Sequence, residues 1–132
     1  MSARLIAAVI GLVYLALGVA GFFTPGTAAT GHDTGRTVWL FSASGVLNIV
    51  HTVIGVLGLL AATKLPGALA YCWTLFVGFT GLTAYGVLAT AFEPREDPIN
   101  VNWADNWLHG LTALLALATA VATTRRFAPK ES

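Results

Sequence analysis

Charged residues are scarce in this chain. It has seven Lys or Arg and six Asp or Glu among 132 residues, 10% in all. A soluble domain usually carries about 25%, so a water-facing surface of this size cannot be built from so few. The net charge of +1 provides no field to attract nucleic acid. One cysteine, Cys72, excludes an intrachain disulfide and any multi-cysteine metal site. Set in an apolar run, it reads as a small buried hydrophobe. Sustained apolar–polar alternation is missing, which argues against a transmembrane β-barrel. Nucleophile–base pairs, phosphate loops and paired carboxylates are missing too. No catalytic residue and no metal ligand set is therefore assigned, and the chain does not read as an enzyme.

What is there is hydrocarbon. Hydrophobic residues make up 56%, and the mean hydropathy is +0.75. Four apolar stretches have the length of a membrane span, about 20 residues: Leu5 to Phe23, Trp39 to Ala62, Ala68 to Phe92 and Trp103 to Thr124. The first exceeds the apolar length of a signal peptide and holds Gly11, Gly18 and Gly21, so it reads as a retained span. The expected fold is all-α: one domain over residues 1–132, a bundle of four transmembrane helices.

Basic residues orient it. Arg4, Lys64, Arg125, Arg126 and Lys130 lie at the two termini and the second connection. Arg36 and Arg95 share the other connections with Asp33, Glu93, Glu96, Asp97 and Asp105. The positive-inside rule then puts both termini in the cytoplasm of a cell's inner (plasma) membrane. Trp39, Trp103 and Trp107 are expected at the outer interface, and Tyr71 and Trp73 at the inner one. Asp105 is expected to cap the fourth helix, the segment Glu93 to Asp97 to be a solvated loop, and Lys64 to Gly67 to form a tight inner hairpin.

One motif occurs twice. Asn48-Ile-Val-His51 lies in the second span and Asn106-Trp-Leu-His109 in the fourth, 58 positions on. At that offset Gly55, Gly58 and Ala62 match Ala113, Ala116 and Ala120. Steps of three and four put each set on one helix face. Small residues let membrane helices approach, and Asn or His is costly against lipid, so both seams should turn inward and toward each other. The polar core is read as Asn48, His51, Asn106 and His109. Packing sites are read as Gly11, Gly18, Gly55, Gly58, Ala113 and Ala116, with Gly78 and Gly81 as further close approaches. The second and fourth spans run the same way, so the repeat is a parallel duplication of a helical hairpin. The first and third spans match only weakly.

Three groups of residues carry a resemblance. They are Arg4 with Gly11, Gly18, Gly21, Phe22 and Pro25; Leu47-Asn48-Ile49-Val50-His51 with Gly55 and Leu59; and Asn102-x-x-Asp105-Asn106-Trp107-Leu108-His109. Over most of its length the chain resembles an uncharacterised bacterial family of small four-helix membrane proteins, filed as a domain of unknown function. The resemblance implies an integral membrane protein and no established activity.

Three functions compete. In the first, the histidines and asparagines fix how helices meet, in a non-enzymatic accessory or structural protein without a cofactor. In the second, His51 and His109 are axial ligands of a b-type haem, with Arg36 and Arg95 reaching its propionates. In the third, the chain is a small transporter or a channel-like oligomer, although its spans lack charged residues. Expected partners are the lipid bilayer, other membrane proteins or further copies of the chain, and no nucleic acid.

Overall fold

The computed structural model describes residues 2–25, 36–92, 97 and 99–127. Its elements are α1 (Ala3–Phe22), β1 (Thr37–Val38), β2 (Phe41–Ser42), α2 (Gly45–Ala61), α3 (Leu65–Phe92) and α4 (Trp103–Phe127). The chain is an all-α four-helix bundle with one small antiparallel ribbon, in which Thr37 pairs with Ser42 and Val38 with Phe41. Helices α1, α3 and α4 are long and apolar enough to cross a bilayer, while α2, also apolar, has 17 residues. The protein is a membrane protein.

The second apolar run does not begin a helix at Trp39. Residues 37–42 form the ribbon, and Trp39 sits at its turn with φ 55°, a left-handed conformation that cannot continue a helix. Ser44 then starts α2: its Oγ accepts the Leu47 N–H at 3.1 Å, as an N-cap does. Composition hid this boundary, because Trp39, Leu40 and Phe41 are as apolar as the helix that follows. At the opposite end of the bundle, α3 starts at Leu65. Pro66 therefore lies in its first turn, where a missing N–H costs nothing, and not in a turn between helices.

Helix α1 packs antiparallel along α2, and α3 along α4; the two hairpins meet through thinner contacts. Glycine sets the first pairing. A Cβ on Gly11 would stand 2.8 Å from Leu59 N and 2.9 Å from Gly55 O. One on Gly58 would stand 2.8 Å from the Gly11 Cα. The small-residue seam of α2 therefore faces α1 and not, as expected, α4. Gly78 and Gly81 also depart from expectation: a Cβ on either would meet nothing within 4 Å, so they lie on an outward face. Helices α1 and α2 are also joined at the end where α1 begins, where Arg4 Nε donates to the Ala62 carbonyl at 2.8 Å.

The duplication extends to the helices whose sequences match weakly, in a different frame. Ala3, Ile6, Ala7, Ile10, Tyr14 and Gly21 are buried on α1. Their counterparts 65 positions on are Ala68, Tyr71, Cys72, Leu75, Phe79 and Gly86, all buried on α3. Between Gly21 and Asn48 the chain has seven more residues than between Gly86 and Asn106, so no single offset aligns both helices of the repeat. The shared core is built from these positions together with Ala113, Ala116 and Ala120. Cys72 and Tyr71 belong to it. The Tyr71 ring faces the bundle, its hydroxyl donating to the Ile54 carbonyl at 3.0 Å.

Candidate functional site

Both repeated asparagines are buried, and each reaches a glycine of the preceding helix. Asn48 Oδ1 occupies the place of a Cβ on Gly21, and Asn106 Oδ1 that of a Cβ on Gly86. Only glycine admits an amide so close to the neighbouring backbone. Asn106 Nδ2 donates to Thr90 Oγ1 at 3.0 Å, and that hydroxyl donates to the Gly86 carbonyl at 2.6 Å. Asn48 Nδ2 and Asn106 Oδ1 find no partner.

One turn further into the bundle, the histidines meet. Their Nε2 atoms lie 3.2 Å apart, one ring nitrogen donating to the other; His51 is 2% exposed and His109 0%. Both rings therefore turn inward, at one level. Two aromatic rings from the other helices complete a quartet. Tyr14 meets His51 edge-on with centroids 5.1 Å apart, and Phe79 stacks on His109 at 4.8 Å. Tyr14 and Phe79 stack on each other at 5.1 Å. Tyr14 and Phe79 are counterparts in the repeat, as are the histidines, so the quartet takes two matched residues from each hairpin. The likeness fails at one hydroxyl, where Tyr14 shares a hydrogen bond with Thr112 Oγ1 at 3.1 Å. Phe79 lacks that group, and Ile54 stands at the position matching Thr112.

At the end of the bundle beyond the asparagines, two buried carboxylates hold the connecting segments. Asn102 caps α4, its Oδ1 accepting the Asp105 N–H at 3.0 Å, while Asp105 Oδ2 accepts the Asn102 N–H at 2.9 Å. This is a capping box: the cap is Asn102, and Asp105 answers it from within the first turn. Asp105 Oδ2 also accepts the Ser42 N–H at 3.1 Å, which ties the ribbon to α4. Asp97, expected in solvent, is 1% exposed. Its Oδ1 accepts from the Tyr85 hydroxyl at 2.6 Å and from the Ile99 N–H at 3.0 Å. Burial opposes its ionisation. The Tyr85 hydroxyl and the backbone N–H groups of Ile99, Asn100 and Val101 outweigh that and hold the carboxyl below the usual carboxylate range.

The sequence-assigned core residues Asn48, His51, Asn106 and His109 are thus together, though only the histidines touch across the hairpins. Gly11, Gly18, Gly55 and Gly58 pack α1 on α2, and Ala113 and Ala116 lie in the shared core. Tyr14, Phe79 and Thr112 escaped sequence reasoning; the offset of 65 was the signal that reaches the first two. Asp33, Glu93, Arg95 and Glu96 lie outside the described residues. Among the described residues no group of three or more His, Cys, Asp or Glu is placed to hold a metal.

The family described as Domain of unknown function (DUF4383) matches residues 4–122. No curated protein and no solved structure matches the chain.

Proposed function

The chain belongs to the DUF4383 family, and from that premise we propose that it is a non-enzymatic structural or accessory membrane protein whose polar core locks two helical hairpins in register. The observation that carries this reading is the Nε2–Nε2 bond between His51 and His109. Among hydrocarbon side chains many rotations of one hairpin against the other bury the same area, and a directional bond selects one of them. The closed quartet supports packing over a haem cradle. A haem needs both nitrogens directed at an iron between them and a macrocycle's width around them. Here the nitrogens bond each other, and Tyr14 and Phe79 lie against the rings.

In this reading all four helices cross the membrane, α2 along its full length beside α1. The basic residues Arg4, Lys64, Arg125 and Arg126 support a cytoplasmic location for both termini. The exposed rings of Trp39, Trp103 and Trp107 gather at the outer interface, the inner membrane is the expected location, and the exposed leucines and valines meet lipid or another membrane protein.

A double-mutant cycle tests the lock. His51→Leu, His109→Leu and the pair are unfolded reversibly in mild detergent. The expected coupling is about 0.6 kcal/mol, with about 1.7 as the upper end for membrane hydrogen bonds. Additive losses would refute it. A Soret band in protein purified after expression with haem supplied would instead establish the cofactor reading.

A further inference from the structure

Four exposed cations gather at one end of the bundle. Arg4 stands at the start of α1, Lys64 between α2 and α3, and Arg125 and Arg126 in the last turn of α4. Ala3, Ala68 and Ala120, each within five residues of one of them, are buried in a single core cluster, which brings the three helices level at this end. The described carboxylates, Asp97 and Asp105, lie at the opposite end, where α3 stops and α4 begins. Among the described residues, then, no acid answers these charges. Arg125 and Arg126 have a local use, since cations in the last turn complement a helix dipole. Arg4 lies in the first turn of α1, and Lys64 directly precedes that of α3. A cation is unfavourable at both places by the same rule, so the helices they adjoin do not account for them.

Arg4 is fixed in place. Its Nε donates to the Ala62 carbonyl at 2.8 Å across the α1–α2 junction, and Lys64 follows two residues after Ala62. The remaining four N–H donors of the guanidinium sit on its two Nη atoms and meet no carboxylate among the described residues. A guanidinium held at Nε presents its Nη edge as a planar fork, the geometry that takes two oxygens of a phosphate at once. Beside this corner Leu5 on α1 and Leu60 on α2 are exposed, side chains that meet acyl chains where the helices cross a membrane.

We propose that the Arg4–Lys64 corner binds one anionic phospholipid of the surrounding bilayer. Its phosphodiester is held by the Nη edge of Arg4, with the Lys64 ammonium as the second charge, and its acyl chains lie along Leu5 and Leu60. A zwitterionic lipid fits less well. Its own ammonium brings a third cation into a corner that has two already and no described carboxylate to receive it. The exposed leucines favour a lipid over a dissolved anion, because they match the chains that carry the head group. Only the membrane crossing of these helices is required, whichever face of the membrane this end occupies, and the histidine lock plays no part.

The test is native mass spectrometry of the full chain in mild detergent, titrated with phosphatidylglycerol or with phosphatidylcholine of the same acyl chains. The first phosphatidylglycerol is expected to bind in preference to phosphatidylcholine. Arg4→Gln and Lys64→Gln should each weaken it about fivefold, the worth of one basic residue at an anionic surface, and leave phosphatidylcholine unaffected. Arg4→Lys keeps the charge that orients the chain but not the fork, so it should lose most of what Arg4→Gln loses. Full affinity in Arg4→Lys would overturn the proposal in favour of diffuse attraction. Equal binding of the two lipids would overturn it too, and would leave the membrane assignment standing. Displacement of the lipid by millimolar inorganic phosphate would overturn it in favour of a dissolved anion. If the Arg4 variants fail to fold, Lys64→Gln, at an exposed position, decides alone, and undiminished binding by that variant refutes the proposal.

Discussion

Adding one methyl group at two glycines should give opposite results. At Gly55 a Cβ would lie 2.6 Å from the Leu15 Cα. Ordinary contact begins at 3.4 Å, so α1 and α2 must separate by nearly an ångström, and the obstructing atoms are backbone that no rotamer can move aside. Overpacking of this kind costs about 1–3 kcal/mol. At Gly81 nothing lies within 4 Å. Alanine there removes glycine's helix penalty, up to about 1 kcal/mol, and displaces only lipid. The assay is reversible unfolding in one detergent, followed by circular dichroism, on Gly55→Ala, Gly81→Ala and the parent chain. Gly55→Ala should unfold earlier, and Gly81→Ala with the parent or later. Gly11→Ala, obstructed by Leu59 N and Gly55 O, should follow Gly55→Ala. If Gly55→Ala and Gly81→Ala unfold alike, backbone approach does not limit the α1–α2 seam and the packing argument fails.

Two further outcomes are expected. Because its neighbours hold the folded Asp97 carboxyl below its unfolded value, its stabilising contribution is complete above the unfolded pKa of about 3.9. The contribution is lost as pH falls through the lower, folded value, so proteolysis of the outer connections should rise below about pH 4 in the parent chain and be flatter in Asp97→Asn. At the quartet, Tyr14→Phe keeps the ring contacts but strips Thr112 of its partner, costing about 0.5–1.5 kcal/mol. Phe79→Tyr, which sets a hydroxyl opposite Ile54, should cost more in the same unfolding assay, and equal costs would argue against the broken likeness of the two halves.

The helices were legible because each is a long apolar run, and the Asn/His core because polar groups stand out against hydrocarbon. The start of α2 was not legible. Trp39 to Ala43 is apolar in sequence, and only the left-handed backbone at Trp39 and the Ser44 cap separate ribbon from helix. The partner of the α2 seam was misread because periodicity fixes which residues share a face and not which neighbour that face meets. Tyr14 and Phe79 stayed hidden for a simpler reason. The frame that aligns the histidines is displaced by seven residues from the one that aligns the rings, and side chains as unlike as Ile6 and Tyr71 fill matching places.

At the centre of the bundle the two halves are obliged to differ. Two Nε2 atoms 3.2 Å apart cannot both carry hydrogen, so one imidazole must be the Nε2–H tautomer and the other the Nδ1–H tautomer. His109 Nδ1 has no partner, so whichever role His109 takes, it leaves a bare lone pair or an idle N–H. Exchanging roles requires each ring to relocate a proton from one nitrogen to the other, with no solvent at hand to carry it. A molecule assembled from two like hairpins thus has a handedness of donor and acceptor set by a single hydrogen atom.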